Sequence, residues 1–197
     1  MLKYTLINNN DFIRDVIKGK REFSGMKLKD CNLCNCKDYD KVISTLKESQ
    51  DEPLIISYSD FSNVDARGLY LFNADARESD FHDANLANAC FEGANLQKTN
   101  FYYTKLVNSN FIGSDLTEAC LVNANLYKAR LMGANLSRAD LERTNLAESN
   151  IRSIKNLEEA LNLDRIPPDN FRGILVTSAE KDILLRRLTK RLFVVED

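Results

Sequence analysis

Histidine occurs once in this chain, at His82, and that scarcity excludes the HExxH and multi-histidine metal sites. No run approaches the roughly 18 consecutive apolar residues of a membrane-spanning helix. The opening segment, Met1 to Asn10, is too short and polar for a signal peptide's apolar stretch. Neither charge sign dominates. The chain carries 27 Lys and Arg against 29 Asp and Glu, without the basic excess expected of a direct nucleic-acid or anionic-membrane binder. The five cysteines are odd in number, with three inside Cys31–Cys36, which does not suit a secreted disulfide framework. The seven glycines are scattered and build no phosphate-binding loop; Gly93, Gly113 and Gly133, twenty apart, read instead as letting the backbone turn or pack closely at one corner. A reducing, cytoplasmic setting without a cofactor is the expectation.

What the chain does have is a five-residue period. From Leu54 to Ser153 twenty centres follow one another: Ile56, Phe61, Ala66, Leu71, Ala76, Phe81, Leu86, Phe91, Leu96, Phe101, Leu106, Phe111, Leu116, Leu121, Leu126, Leu131, Leu136, Leu141, Leu146 and Ile151. On a helix a five-residue step drifts about 140° around the axis. On a strand an odd spacing turns alternate centres to water. Only a chain that bends about once per repeat keeps every centre inside, so the period predicts a solenoid. Counting from each centre as position 0, position −2 is Ala, Ser, Thr or Val in 18 of 20 repeats, and position −1 is Asp or Asn in 14. A narrow interior explains the small companion of each large residue. Asp and Asn tolerate sharp turns and bond nearby main chain, and stacked Asn can ladder along the axis.

The best-kept stretch runs Ala124-Asn-Leu-Tyr-Lys, Ala129-Arg-Leu-Met-Gly, Ala134-Asn-Leu-Ser-Arg, Ala139-Asp-Leu-Glu-Arg. It resembles the pentapeptide-repeat family, with motif (Ala/Ser/Thr/Val)-(Asp/Asn)-(Leu/Phe)-X-X. The resemblance implies an all-β solenoid, a right-handed quadrilateral β-helix with four pentapeptides per coil and short helical caps at both ends. Residues 54–153 then make five coils, a rod of roughly 24 Å at ~4.8 Å per strand spacing. Two of the four columns, Phe61, Phe81, Phe101, Leu121, Leu141 and Leu71, Phe91, Phe111, Leu131, Ile151, contain every phenylalanine among the centres. A ten-residue coil explains that alternation equally well.

Apolar ends of a solenoid need covers. Residues 11–19 read as a helix stopped at Gly19, so residues 1–20 are assigned as an N-terminal capping helix. Residues 21–153 are assigned to the β-helix, with Phe23, Leu28 and Leu33 beginning an incomplete first coil. A polar loop or helix excursion at 36–53 breaks the register. Residues 154–197 are assigned as a C-terminal helical cap: a short helix at 156–163, Pro167-Pro168, then Thr177 to Glu180 with capping-box spacing. The helix that opens there runs to about Phe193, with Leu184, Leu188, Leu192 and Leu185 apolar and Lys181, Arg186, Arg187, Lys190 and Arg191 basic. It reads as a cap, a dimer contact or a dock for an acidic partner or membrane. The family resemblance implies a homodimer through C-terminal helices.

Catalytic chemistry finds little to work with. His82 stands at an outward position near Asp80 and Asp83, on a convex face with no pocket to exclude water. Cys31, Cys34 and Cys36 form a partial metal knuckle lacking further nearby ligands, and Cys90 and Cys120 read as surface thiols. No catalytic or metal residue is assigned. The informative outward side chains are apolar: Tyr102, Tyr103 and Val122 on one face, Val107 and Tyr127 on the next, and Phe72, Ile112 and Met132 on a third. Exposed aromatic clusters serve partner surfaces, although scattered apolar exposure is also ordinary. The expectation is a non-catalytic protein-interaction scaffold with an unknown protein partner. The alternative follows family members that imitate DNA, bind DNA gyrase and protect it from quinolones.

Overall fold

A computed structural model describes residues 4–28 and 32–192, with side chains described as far as Arg187. Its main body contains almost no continuous strand. Each −1 residue instead makes a single parallel bridge to the −1 residue twenty positions on, from Ile55 with Asp75 to Arg130 with Asn150. The coil is therefore twenty residues, and the ten-residue alternative is removed. Four pentapeptides per coil, each with its own turn, make a four-sided β-helix solenoid.

The backbone accounts for itself within one repeat. Around Phe81, the Ser79 N–H closes a turn on the Ala76 carbonyl at 3.2 Å. The Asp80 N–H donates to Ser59 one coil below, and the Phe81 and Asp83 N–H groups donate to Asn100 and Tyr102 one coil above. The fifth donor, the His82 N–H, goes to the Asp80 side chain at 3.0 Å. Every N–H is paired, as a buried backbone requires. Asp and Asn recur at position −1 because a side-chain acceptor at that place reaches the +1 N–H. Asp60, Asp115, Asn125, Asn145 and others repeat the contact.

The sharp turn lies at +2 throughout. The expectation gave turning to the −1 Asp and Asn and, at one corner only, to Gly93, Gly113 and Gly133, but all twenty +2 residues, from Tyr58 to Ser153, have positive φ, between 53° and 73°. With +1 outside that region, the sign pattern is that of a type II turn. Only four of the twenty are glycine, Gly68, Gly93, Gly113 and Gly133. Lysine, glutamate, arginine and tyrosine occupy other left-handed corners at a steric cost.

Inside the tube the phenylalanines stack as the columns predict. Phe61, Phe81 and Phe101 lie 5.2 and 5.4 Å apart in near-parallel stacks, and Phe91 and Phe111 4.7 Å apart. Across the tube the two stacks meet edge to face, 5.7 Å between Phe91 and Phe101 and 6.0 Å between Phe101 and Phe111. Both geometries suit the ring quadrupole. Buried hydroxyls at −2 are satisfied by the centre's carbonyl: Thr99, Thr104 and Thr144 donate to Ala76, Phe81 and Leu121 one coil below. Ser109, Ser114 and Ser149 donate within their own turn. The predicted amide ladder is present too, with Asn100 donating to Asp80, Asn135 to Asp115 and Asn145 to Asn125 at 3.0–3.1 Å.

The entry to the coil is longer than a simple start. Strand β1 (Thr5–Ile7) pairs in parallel with β2 (Met26–Leu28). Between them α1 (Asn9–Ile17) begins two residues before the expected helix, because the Asn8 side chain caps it by accepting from the Asp11 N–H. Phe12 of α1 is wholly buried, its ring centroid 4.9 Å from Phe23 and 6.2 Å from Phe61. Glu22, Lys27 and Asn32 bridge to Ile55, Asp60 and Asp65 across 33 residues, thirteen more than one coil. Those thirteen belong to the excursion, which carries α2 (Tyr39–Glu48). It buries Tyr39, Val42 and Leu46, packs on α1, and holds the Lys47 amine 5.9 Å from the Tyr70 ring.

The exit differs from expectation. Residues 156–163 form no α-helix, and the ladder runs past Ser153: Lys155, Leu161 and Leu175 bridge to Asn135, Asp140 and Asn150. Leu161 spends its N–H on Ala139 and its carbonyl on Leu141, leaving neither for a helix. Tight 3₁₀ turns at Leu157–Glu159, Leu163–Arg165 and Pro168–Phe171 take up the extra length. Then α3 (Ser178–Leu192) begins with the anticipated capping box, Glu180 accepting from the Thr177 N–H and hydroxyl. Leu184 is buried, Leu185 is exposed, and Arg187 donates to the Glu158 and Ala160 carbonyls at 2.8 Å. Cys31, the side chains of Leu188, Lys190, Arg191 and Leu192, and Phe193 lie outside the described residues.

The corners yield a stability test. A Cβ on Gly113 meets open space, so Gly113→Ala should cost about 1 kcal/mol through φ alone. Glu118→Gly, at another left-handed corner, should gain a similar amount. Urea unfolding midpoints check both signs.

Candidate functional site

The side chains proposed for partner contact leave the coil at +1 and +2, and the twenty-residue period fixes their faces. Tyr102, Tyr103 and Val122 share the face outside Phe81, Phe101 and Leu121. Val107 and Tyr127 stand on the next face, outside Leu106 and Leu126. Phe72, Ile112 and Met132 stand outside Leu71, Phe111 and Leu131, opposite the Tyr102 face. They are three separate groups. Tyr102 and Tyr103 are 40% and 49% exposed and meet edge to face at 4.5 Å. Met132 is also exposed, while Phe72, Val107, Ile112, Val122 and Tyr127 are half-buried.

Local chemistry separates these groups further. The Lys128 amine stands 4.9 Å over the Tyr127 ring and 3.4 Å from Glu148. The Tyr127 hydroxyl holds Glu148 below the usual carboxylate range, with Lys128 adding to the effect. Tyr127 is thus engaged in its own network. Phe72 stacks on Tyr70 at 6.1 Å, beneath Lys47 of the excursion. Tyr102 has less covering it. Its hydroxyl is raised by partial desolvation, by Tyr103 and by the nearby Asp83 charge. Tyr58, 43% exposed at a +2 corner, was missed, although the +2 spacing identifies it.

His82 keeps its place on the rod surface, with Nδ1 2.9 Å from Asp80 Oδ1 and Nε2 3.5 Å from Asn63. Asp80 already accepts from the His82 N–H and from Asn100, so the pair completes a turn and an amide ladder. Cys34 Sγ accepts from the Arg67 guanidinium at 3.3 Å. Cys90 and Cys120 correct the expectation of surface thiols: they are half-buried at −1. Burial pushes both thiols up, against a +1 N–H that donates to sulfur as it would to an Asx oxygen. Among the described residues no three His, Cys, Asp or Glu side chains are placed to hold a metal. A hollow of about 440 Å³ lies between α1 and α2, over Ile13 and Ile17, with Arg14, Lys18, Lys37 and Lys41 on its walls. At the far end Leu161, Leu175 and Leu185 are 45–49% exposed. No helix among the described residues is long and apolar enough to cross a membrane.

The sequence profile of the pentapeptide repeats matches residues 59–97, 94–133 and 125–153, with eight copies. Residues 59–153 belong to the pentapeptide-repeat family. Among solved structures it is similar to QnrB1, a plasmid-mediated fluoroquinolone resistance protein, at 15% identity over 85% of this chain and 74% of that one, with a TM-score of 0.47. It is also similar to a pentapeptide repeat protein of the Arabidopsis thaliana thylakoid lumen, at 20% identity over 66% and 86% of the two chains, TM-score 0.36. A third is Rfr23 of the cyanobacterium Cyanothece 51142, at 28% identity over 55% and 60%, TM-score 0.25. No curated protein sequence matches the chain.

Two measurements follow from the −1 column. Burial alone would raise Asp60 and Asp115, but bonds from Lys27 and Ser62, and from Gln97, Thr117 and Asn135, hold both carboxyls low. Arg77 lowers Asp75. Carboxyls depressed in the folded state stabilise it fully above their unfolded pKa of about 4 and cease to do so as pH falls through their folded values. Urea midpoints should therefore decline below about pH 4, and more shallowly in Asp60→Asn/Asp115→Asn. Iodoacetamide at pH 8 should label Cys90 and Cys120 more slowly than free glutathione, with the difference vanishing in urea.

Proposed function

We propose that this chain is a non-catalytic interaction scaffold: a right-handed β-helix rod, closed by α1 at one end and α3 at the other, that presents side-chain columns to a protein partner. One observation carries the reading. The rod spends its polar backbone and its core on its own ladder, and an aromatic pair, Tyr102 and Tyr103, is left exposed on a rigid face. Buried aromatic anchors dominate the energetics of protein interfaces, and a rigid face loses little entropy on docking. Family membership supports the right-handed sense and the capping roles. The exposed Leu161, Leu175 and Leu185 support a homodimer through the C-terminal end.

The alternative, a DNA-mimicking binder of gyrase, draws on QnrB1's description as a fluoroquinolone resistance protein, at an identity too low to favour it. Lys105 and Arg130 are exposed on the rod, which suits a DNA imitation poorly. A supercoiling assay with purified gyrase tests that reading, with no effect of the protein expected.

Affinity capture from native lysate with the full chain and with Tyr102→Ser/Tyr103→Ser/Tyr127→Ser tests the scaffold. At least one protein should be recovered by the parent and lost from the variant. Equal recovery by both refutes the patch.

A further inference from the structure

The face that carries the tyrosine pair is also the acidic face of the rod. Over the five full coils its −1, +1 and +2 columns hold Asp60, Asp80, Asp83, Asp140 and Glu142 against Arg143, with Lys27 in the incomplete first coil below Asp60. The opposite face, with Phe72, Ile112 and Met132, holds Glu92 against Arg130 and Arg152. Two carboxylates of the acidic face are matched locally, Asp60 by Lys27 and Glu142 by Arg165 at 3.3 Å. Among the described residues, those nearest the tyrosines have no lysine or arginine partner. Asp80 receives His82, Asn100 and a backbone N–H, and Asp83 has no ion pair among the described residues. Asp83 stands one coil below Tyr103 in the same +2 column, and its N–H donates to the Tyr102 carbonyl at 2.9 Å. An exposed tyrosine pair, packed edge to face, therefore adjoins a carboxylate that has no ion pair among the described residues, on a face whose full coils carry net negative charge.

That combination has one natural complement. A guanidinium or ammonium group over an aromatic ring is attracted by its quadrupole, most strongly when a carboxylate completes the site. Aromatic rings alone would accept any apolar side chain, and carboxylates alone would accept any dissolved cation. We propose that Tyr102, Tyr103 and Asp83 receive an arginine or lysine side chain of a basic peptide segment in the partner, drawn in by the charge of this face. This rests on the reading of the tyrosine pair as the partner surface.

The probe is a fluorescein-labelled heptapeptide of alternating glycine and arginine, its glutamate counterpart the control, followed by fluorescence anisotropy with the full chain. The arginine peptide should bind saturably, weaken several-fold between 50 and 300 mM NaCl as exposed charges are screened (Debye lengths of roughly 14 to 6 Å), and outbind the glutamate peptide. Tyr102→Ser should weaken it about tenfold, within the range of a cation–π contact, and Asp83→Asn about threefold. Tyr103→Asn should also weaken it, and Glu118→Asn, on a neighbouring face, should leave it unchanged. Asparagine accepts the left-handed backbone at 83, 103 and 118, so these variants keep the corner. No saturable binding, equal binding of the glutamate peptide, or affinities unchanged in the Tyr102 and Asp83 variants each overturn the proposal. If a lysate partner still depends on the tyrosines while the arginine peptide fails, the basic partner class falls and the scaffold stands.

Discussion

The structure depends on one backbone corner repeated twenty times. A residue in the left-handed region at +2 bends the chain, the centre's carbonyl closes the turn, and the remaining donors reach the coils above and below. Nothing else in the rod has to be long-range. Each coil needs only its neighbours to complete the hydrogen bonding of its buried backbone, as in other solenoids. The core is a consequence of that corner. Once the chain turns every five residues, positions 0 and −2 face a tube too narrow for two large side chains, and Phe or Leu with Ala, Ser or Thr fills it.

The chain tolerates sixteen non-glycine residues at these corners. A single left-handed lysine or arginine is costly in isolation, and a surface loop would normally select glycine or asparagine. The ladder overrides that preference because each corner is held by bonds to two other coils. Local cost is exchanged for cooperative pairing, and freedom at +2 is what lets the rod surface carry tyrosine, charge or nothing at all.

Much of the fold was legible in the sequence because its cause is periodic. Twenty centres at one spacing, a small residue at −2 and the phenylalanine columns all survive into the rod, and the capping box at Thr177 and Glu180 survives beside them. The location of the turn was legible only at the glycine column of Gly93, Gly113 and Gly133, since Asn and Asp serve both as left-handed residues and as acceptors for a neighbouring N–H, and the letters do not say which. The exit was misread for a related reason. Leu157, Ala160 and Leu161 have helical spacing, but the unpaired edge of the last coil competes for the same N–H groups and wins. The surface was legible as columns and not as a site: the period places Tyr102 opposite Met132, Glu148 above Lys128 and Tyr103 above Asp83, while the approach of the Lys128 amine to the Tyr127 ring and the packing of Tyr102 on Tyr103 depend on side-chain placement that no spacing encodes.

The excursion between the incomplete first coil and the first full one enlarges a single corner by thirteen residues without disturbing the bridges on either side of it. Both coils re-enter register, because pairing is fixed by the strands and is indifferent to how far the chain wanders between them. A corner of this kind is a natural insertion port. A peptide epitope, a binding helix or a small folded module could be spliced there in place of α2, with the rod serving as a ruler that holds the graft at a fixed height above its end.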